Sequence, residues 1–171
     1  MPQKEKKSPD LSTARPSNWR VFVLFVIWLA FIFGTSCTVM RPEEFFRLVS
    51  KSTGAGRESM ERFTVFWGIS WFAIVKGWHF IEFTILTVLA VATLKRFYGN
   101  TTSSLIILAM LFCVVFAVSD EWHQSFIPDR FGTVKDILID SLGVCTAGAI
   151  MLVRLKQINA NNKAMHPNGR F

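Results

Sequence analysis

Apolar residues fall into four blocks along the chain, three of them close to the roughly 20 residues that carry a helix across a bilayer. The first is 21–40, after a polar tail holding Lys4, Lys6, Lys7, Arg15, Arg20 and three prolines. A longer block, 63–94, is interrupted only by Lys76, His79 and Glu82. At about 1.5 Å per residue it is too long for one upright crossing. The preferred division makes 63–75, with Trp67 and Trp71, a short interfacial or re-entrant segment. The second crossing then starts near Lys76 and stops at Lys95-Arg96. The alternative is a single tilted helix carrying those charges in mid-membrane. A third block covers about 101–119 and a fourth about 137–153, closed by Arg154 and Lys156. The pattern predicts an all-α, polytopic integral membrane protein of about four transmembrane helices plus that short segment. The expected divisions are a tail 1–20, a membrane domain 21–153 and a basic tail 154–171.

Composition agrees with that picture. Charged residues make up 18%, against roughly 25% in soluble domains, and mean hydropathy is +0.35. A net charge of +7 would suggest nucleic acid in a soluble protein. Here the basic residues flank apolar blocks, where they set orientation, and nucleic acid is not an expected partner. A basic tail before an apolar block also resembles a signal peptide, but further spans follow, and an uncleaved first helix is preferred. Cys37, Cys113 and Cys145 lie in apolar segments without metal-ligand spacing and are expected as buried free thiols.

Charge placement then orients the chain. With four spans, eleven of the nineteen basic residues and only Glu5 and Asp10 among the acids share the side of the two termini. The positive-inside tendency puts both termini in the cytoplasm of a bacterial inner membrane. Lys76, His79, Glu82 and the stretch 119–143 therefore gather at the outer face.

That stretch, SDEWHQSFIPDRFGTVKDILIDSLG, carries more chemistry than a connecting loop needs. Lys76, His79 and Glu82, at i, i+3 and i+6, cover about 120° of one helix face. Asp120, His123 and Gln124 cover about 100° of another, provided the third helix continues that far. Asp136 and Asp140, at i and i+4, project together near the start of the fourth. Ionised groups in hydrocarbon need partners, so the three faces should meet inside the bundle. Gly143, Cys145, Ala147, Gly148 and Ala149 supply a small-residue surface where another helix can come close.

Several chemistries fit this set. Carboxylates with two histidines can hold a divalent cation. A histidine beside a carboxylate can act as general base. Arg130 and Lys76 can clamp a phosphate or carboxylate. The same charges can also do no more than fix helix packing, with Lys76 and Arg130 balancing Glu82, Asp120, Asp136 and Asp140. No spacing here is a specific catalytic signature.

Asp120-Glu121-Trp122-His123-Gln124, then Pro128-Asp129-Arg130, then Asp136 and Asp140 before Gly143, resemble the VanZ-like family, whose members carry DE-x-HQ, P-x-R and D-x3-D-x2-G in that order. Lys76-Gly77-Trp78-His79-Phe80-Ile81-Glu82-Phe83 is similar to that family's K-x-x-H-F-x-x-Y element, with Phe83 in the tyrosine's place. Phe33-Gly34-Thr35-Ser36 is similar to its F-x-x-S helix end. The resemblance implies a small multi-span bacterial membrane protein, linked through one member to teicoplanin resistance. It implies a functional set of Lys76, His79, Asp120, Glu121, His123, Gln124, Arg130, Asp136 and Asp140, to which the helical spacing adds Glu82. The leading expectation is a pocket that binds or modifies an envelope lipid or glycopeptide-like ligand. Competing expectations are a metal-dependent enzyme acting on lipid-linked phosphate and a structural or assembly protein.

Overall fold

A computed structural model of the chain describes residues 19–37, 47, 51–52, 57–128, 130 and 132–165; in the long second helix the side chains are described from Ser70 onward, Trp71 and Phe72 excepted. The polar tail to residue 18, most of the loop 41–56, Asp129 and the residues after Met165 lie outside that set, as do the side chains of Trp67 and Trp71.

Four helices make up the described fold: α1 (Trp19–Ser36), α2 (Arg57–Tyr98), α3 (Ser103–Gln124) and α4 (Val134–Met165). Each contains a stretch long and apolar enough to cross a membrane, giving a multi-pass helical membrane protein. In α2, among the described residues, that stretch is Ala73–Tyr98, which contains Lys76, His79 and Glu82.

The joint before it differs from expectation. Backbone hydrogen bonding runs unbroken from Arg57 to Tyr98, so 63–75 is no separate or re-entrant piece but the N-terminal continuation of α2. Lys76, His79 and Glu82 interrupt the hydropathy of the run without interrupting its helix. All three are competent helix residues whose side chains leave the backbone ladder intact.

The helices bury narrow inward stripes and leave their other faces apolar. On α2 the stripe is Phe83, Leu86, Thr87, Ala90 and Val91; on α3 it is Ile106, Ala109, Cys113 and Ala117. The recurrence at three and four residues is the signature of one helix face. Val115, Leu111, Leu142 and Leu24 are more than half exposed, as expected where hydrocarbon and not water is the solvent. Aromatic side chains mark both ends of the spans. Trp19, Phe97 and Tyr98 lie outward at one end, and Trp78, Trp122 and Phe126 at the other.

Two glycines fix the geometry. Gly99 takes φ +82° as its N–H bonds to the Lys95 carbonyl at 2.9 Å, the left-handed conformation that ends a helix. Three residues later the Thr102 hydroxyl accepts from the Leu105 N–H at 3.3 Å and caps α3. Gly143 lets α4 lie directly on α2, since a Cβ there would sit 2.4 Å from the Phe80 carbonyl oxygen. The predicted small-residue surface is thus real for Gly143, Ala147 and Gly148, which are buried. Cys145 and Ala149 point outward. The cysteine expectation is corrected likewise: Cys113 is buried, but Cys37 and Cys145 are exposed, because only Cys113 falls on an inward stripe.

Candidate functional site

At one end of the bundle the inward stripes change from apolar to polar without changing face. On α3, Ala117 gives way to Asp120, Glu121 and Gln124; on α4, Gly143 is preceded by Asp140 and Asp136. On α2, Phe83 is preceded by Glu82 and His79, and α1 ends in buried Ser36. Alternating helix direction brings these four ends together. Helix α3 does continue through Gln124, as the spacing argument required. The nine described positions of highest interest beside Arg130 (Lys76, His79, Glu82, Asp120, Glu121, His123, Gln124, Asp136 and Asp140) all lie in this polar end.

The side toward α1 forms a bonded chain. The Ser36 hydroxyl donates to Asp120 Oδ2 at 2.6 Å, and Gln124 Nε2 donates to the same oxygen at 2.8 Å. Arg130 Nη1 donates to Gln124 Oε1 at 2.9 Å, while its Nη2 donates to the Thr35 carbonyl at 3.2 Å. Arg130 thereby ties the loop after α3 to the end of α1. Thr35 Oγ1 lies 3.3 Å from Glu82 Oε1, and Trp28 Nε1 donates to the Glu82 carbonyl at 3.0 Å. His123 stacks on Phe33 with ring centroids 4.7 Å apart, and its Nε2 lies 3.5 Å from Cys37 Sγ.

The side toward α4 is a two-rung ladder with α2. Lys76 pairs with Asp136, and one turn along His79 Nδ1 lies 3.4 Å from Asp140 Oδ1. The i, i+4 spacing of the two aspartates matches the i, i+3 spacing of Lys76 and His79, so each rung joins corresponding turns. Glu121 joins this side from α3: its Oε2 accepts the Thr133 backbone N–H at 2.9 Å. Thr133 in turn caps α4, its hydroxyl accepting from the Asp136 N–H at 3.2 Å. Asp140 and Glu121 are 0% and 2% exposed. Both Asp140 oxygens, Glu121 Oε1 and His79 Nδ1 have no hydrogen-bond partner among the described residues. Donor atoms of His79, Glu121 and Asp140 lie within 4.8 Å of one another.

The residues picked out by spacing lie at one end of the bundle, but they divide among its faces differently from the spacing argument. Asp120 and Gln124 turn toward α1, whereas neighbouring Glu121, about 100° round the helix, turns toward α4. His123 stands apart from both, on Phe33. Glu82 shares a face with Lys76 and His79 yet meets α1 through Thr35. Phe83 is fully buried 6.2 Å from the Phe116 ring, packed as core. Three participants stood outside the expected functional set: Thr35 and Ser36, named only as a helix-end motif, and Thr133. The first two sit in the Phe33–Ser36 motif, where two hydroxyls end an apolar run. Thr133 shows the Thr-x-x-Asp signature of a helix start.

Between α1 and α3 a cavity of about 230 Å³ is lined by Phe33, Phe116, Ser119, Asp120, Trp122, His123 and Phe126. Four aromatic rings and three polar side chains share its wall.

No curated protein and no solved structure gives a match to this chain. The VanZ/LLP1 family pattern matches residues 19–156, from the first turn of α1 well into α4. That span takes in α1, α2, α3, most of α4 and every residue of the polar end described above. The chain belongs to the VanZ/LLP1 family.

Proposed function

We propose that the polar end of the bundle binds or modifies a cell-envelope lipid or glycopeptide-like ligand at the outer face of a bacterial inner membrane, and so alters susceptibility to teicoplanin-type glycopeptides. The observation that carries this reading is the cavity between α1 and α3. Its rings at Phe33, Phe116, Trp122 and Phe126 suit hydrocarbon or a hydrophobic substituent. Ser119, Asp120 and His123 offer polar contacts in the same wall, the combination an amphiphile requires. Charge asymmetry supports the outward orientation, with both termini in the cytoplasm. The link to teicoplanin rests on the family resemblance.

Susceptibility testing of a strain carrying the wild type, His123→Ala or Arg130→Ala checks the reading. Both variants lose the phenotype while membrane levels stay at wild type. Wild-type resistance in both variants sinks it.

A second reading, a metal-dependent enzyme acting on lipid-linked phosphate, draws on the convergence of His79, Glu121 and Asp140. It requires turnover as well as binding. Release of inorganic phosphate from a lipid-linked phosphate by purified protein separates it from the first.

A further inference from the structure

We infer that His79, Glu121 and Asp140 form a binding site for one first-row divalent cation, of the zinc or manganese kind, held between α2, α3 and α4. The site is distinct from the cavity between α1 and α3, and it does not depend on the ligand reading.

Three observations point to it. First, the donors come from three helices yet converge to within 4.8 Å. Metal–donor bonds of about 2.0–2.2 Å put neighbouring donors some 3–4 Å apart, so an ion needs to draw these atoms together only slightly. Second, buried oxygens that accept nothing are costly. Asp140 is fully buried with both oxygens unpartnered among the described residues, and Glu121, equally enclosed, leaves Oε1 unpartnered. His79 Nδ1 and Asp140 Oδ1 lie 3.4 Å apart, at ion-pair distance but without hydrogen-bond geometry, and a cation between them would give both atoms a partner. Third, the surrounding groups hold the donors in place. The Thr133 N–H fixes Glu121 by its other oxygen, and the close approach of Gly143 to Phe80 sets α2 and α4 face to face. Outer bonds of this kind orient metal ligands.

The ligand chemistry narrows the ion. One imidazole with two carboxylates is intermediate between soft thiolate sites and all-oxygen sites, and it suits zinc or manganese better than calcium. Three protein ligands leave a coordination position for water or for a ligand oxygen.

The test is elemental analysis of tag-free, detergent-purified full-length protein, followed by titration of chelator-treated protein with zinc and with manganese. Expected is about one ion per chain in the wild type, retained in Asp120→Asn and His123→Ala. Affinity falls at least about tenfold in His79→Ala and in the isosteric variants Asp140→Asn and Glu121→Gln. The isosteric pair keeps the test valid if His79→Ala fails to fold. Stoichiometric metal with this pattern supports the site even where teicoplanin susceptibility does not respond to His123→Ala. An ion absent from the wild type and not taken up up to about millimolar metal overturns it. Equal binding by the wild type and all three ligand variants, the behaviour of an adventitious ion only, overturns it as well.

Discussion

The two sides of the polar end solve the same problem differently. Toward α1, Asp120 is held through one oxygen by Ser36 and Gln124, and Gln124 by Arg130, so that of these groups only Asp120 Oδ1 is left without a hydrogen bond among the described residues. Toward α4, one rung is an ion pair, and the other brings a histidine to ion-pair distance of one carboxylate, beside a second, with no hydrogen bond among the three. A low-dielectric setting makes the first arrangement rigid and the second expensive unless something else binds there. One side has the character of structure that frames a cavity. The other has the character of a receptor for charge.

Three substitution experiments and one labelling experiment can break or sharpen this contrast. The largest effect belongs to Lys76→Met, which strands the Asp136 carboxylate. Removing one partner of a buried pair costs roughly 3–5 kcal/mol, and some exposure of Lys76 puts the expected loss at the lower end. Pairing it with Asp136→Leu should restore most of that stability in detergent unfolding; a double variant no more stable than Lys76→Met would show that the pair is not the unit.

Gly143→Ala comes next. Its Cβ would press on the Phe80 carbonyl, and overpacking of this kind costs about 1–3 kcal/mol. Because α2 and α4 must then part, zinc or manganese uptake should weaken while glycopeptide susceptibility changes less. Equal damage to both readouts would mean that the two sides are one cooperative unit.

Ser36→Ala removes a bond to Asp120 and, on the scale of interhelical hydrogen bonds in membranes, should cost about 1 kcal/mol. It should act on the α1 side alone, leaving metal uptake intact. The smallest energetic effect is that of probing the thiols. A membrane-impermeant maleimide added outside intact cells should label Cys37 and spare Cys145, whose exposed surface faces the apolar span. Labelling of Cys37 only after the membrane is opened would reverse the proposed orientation.

The sequence was readable wherever hydropathy alone decides the outcome. Four crossings, the polar cap at 119–143 and the small residues at Gly143, Ala147 and Gly148 all follow from what hydrocarbon accepts. The continuity of α2 was hidden because hydropathy registers Lys76, His79 and Glu82 as interruptions, whereas the backbone registers only whether each residue can be helical. The split between Asp120 and Glu121 was hidden for another reason. Adjacent residues on a helix face different neighbours, and only packing says which neighbours those are. Ser36 and Thr133 are small hydroxyl residues whose weight comes from a partner 84 residues away in one case and 12 in the other.

Helix α1 fully buries only Ile32 and Ser36. Most of its length offers the rest of the bundle little to grip, and its polar fastening is concentrated around Trp28 and the last turn. Ser36 makes that fastening to Asp120, the same carboxylate that lines the cavity. The clasp uses Oδ2 alone, and Asp120 Oδ1 keeps no hydrogen-bond partner among the described residues. One carboxylate thus seats α1 with one oxygen while the other stays open, so the fastening of the helix and the wall of the cavity share a residue without sharing an atom.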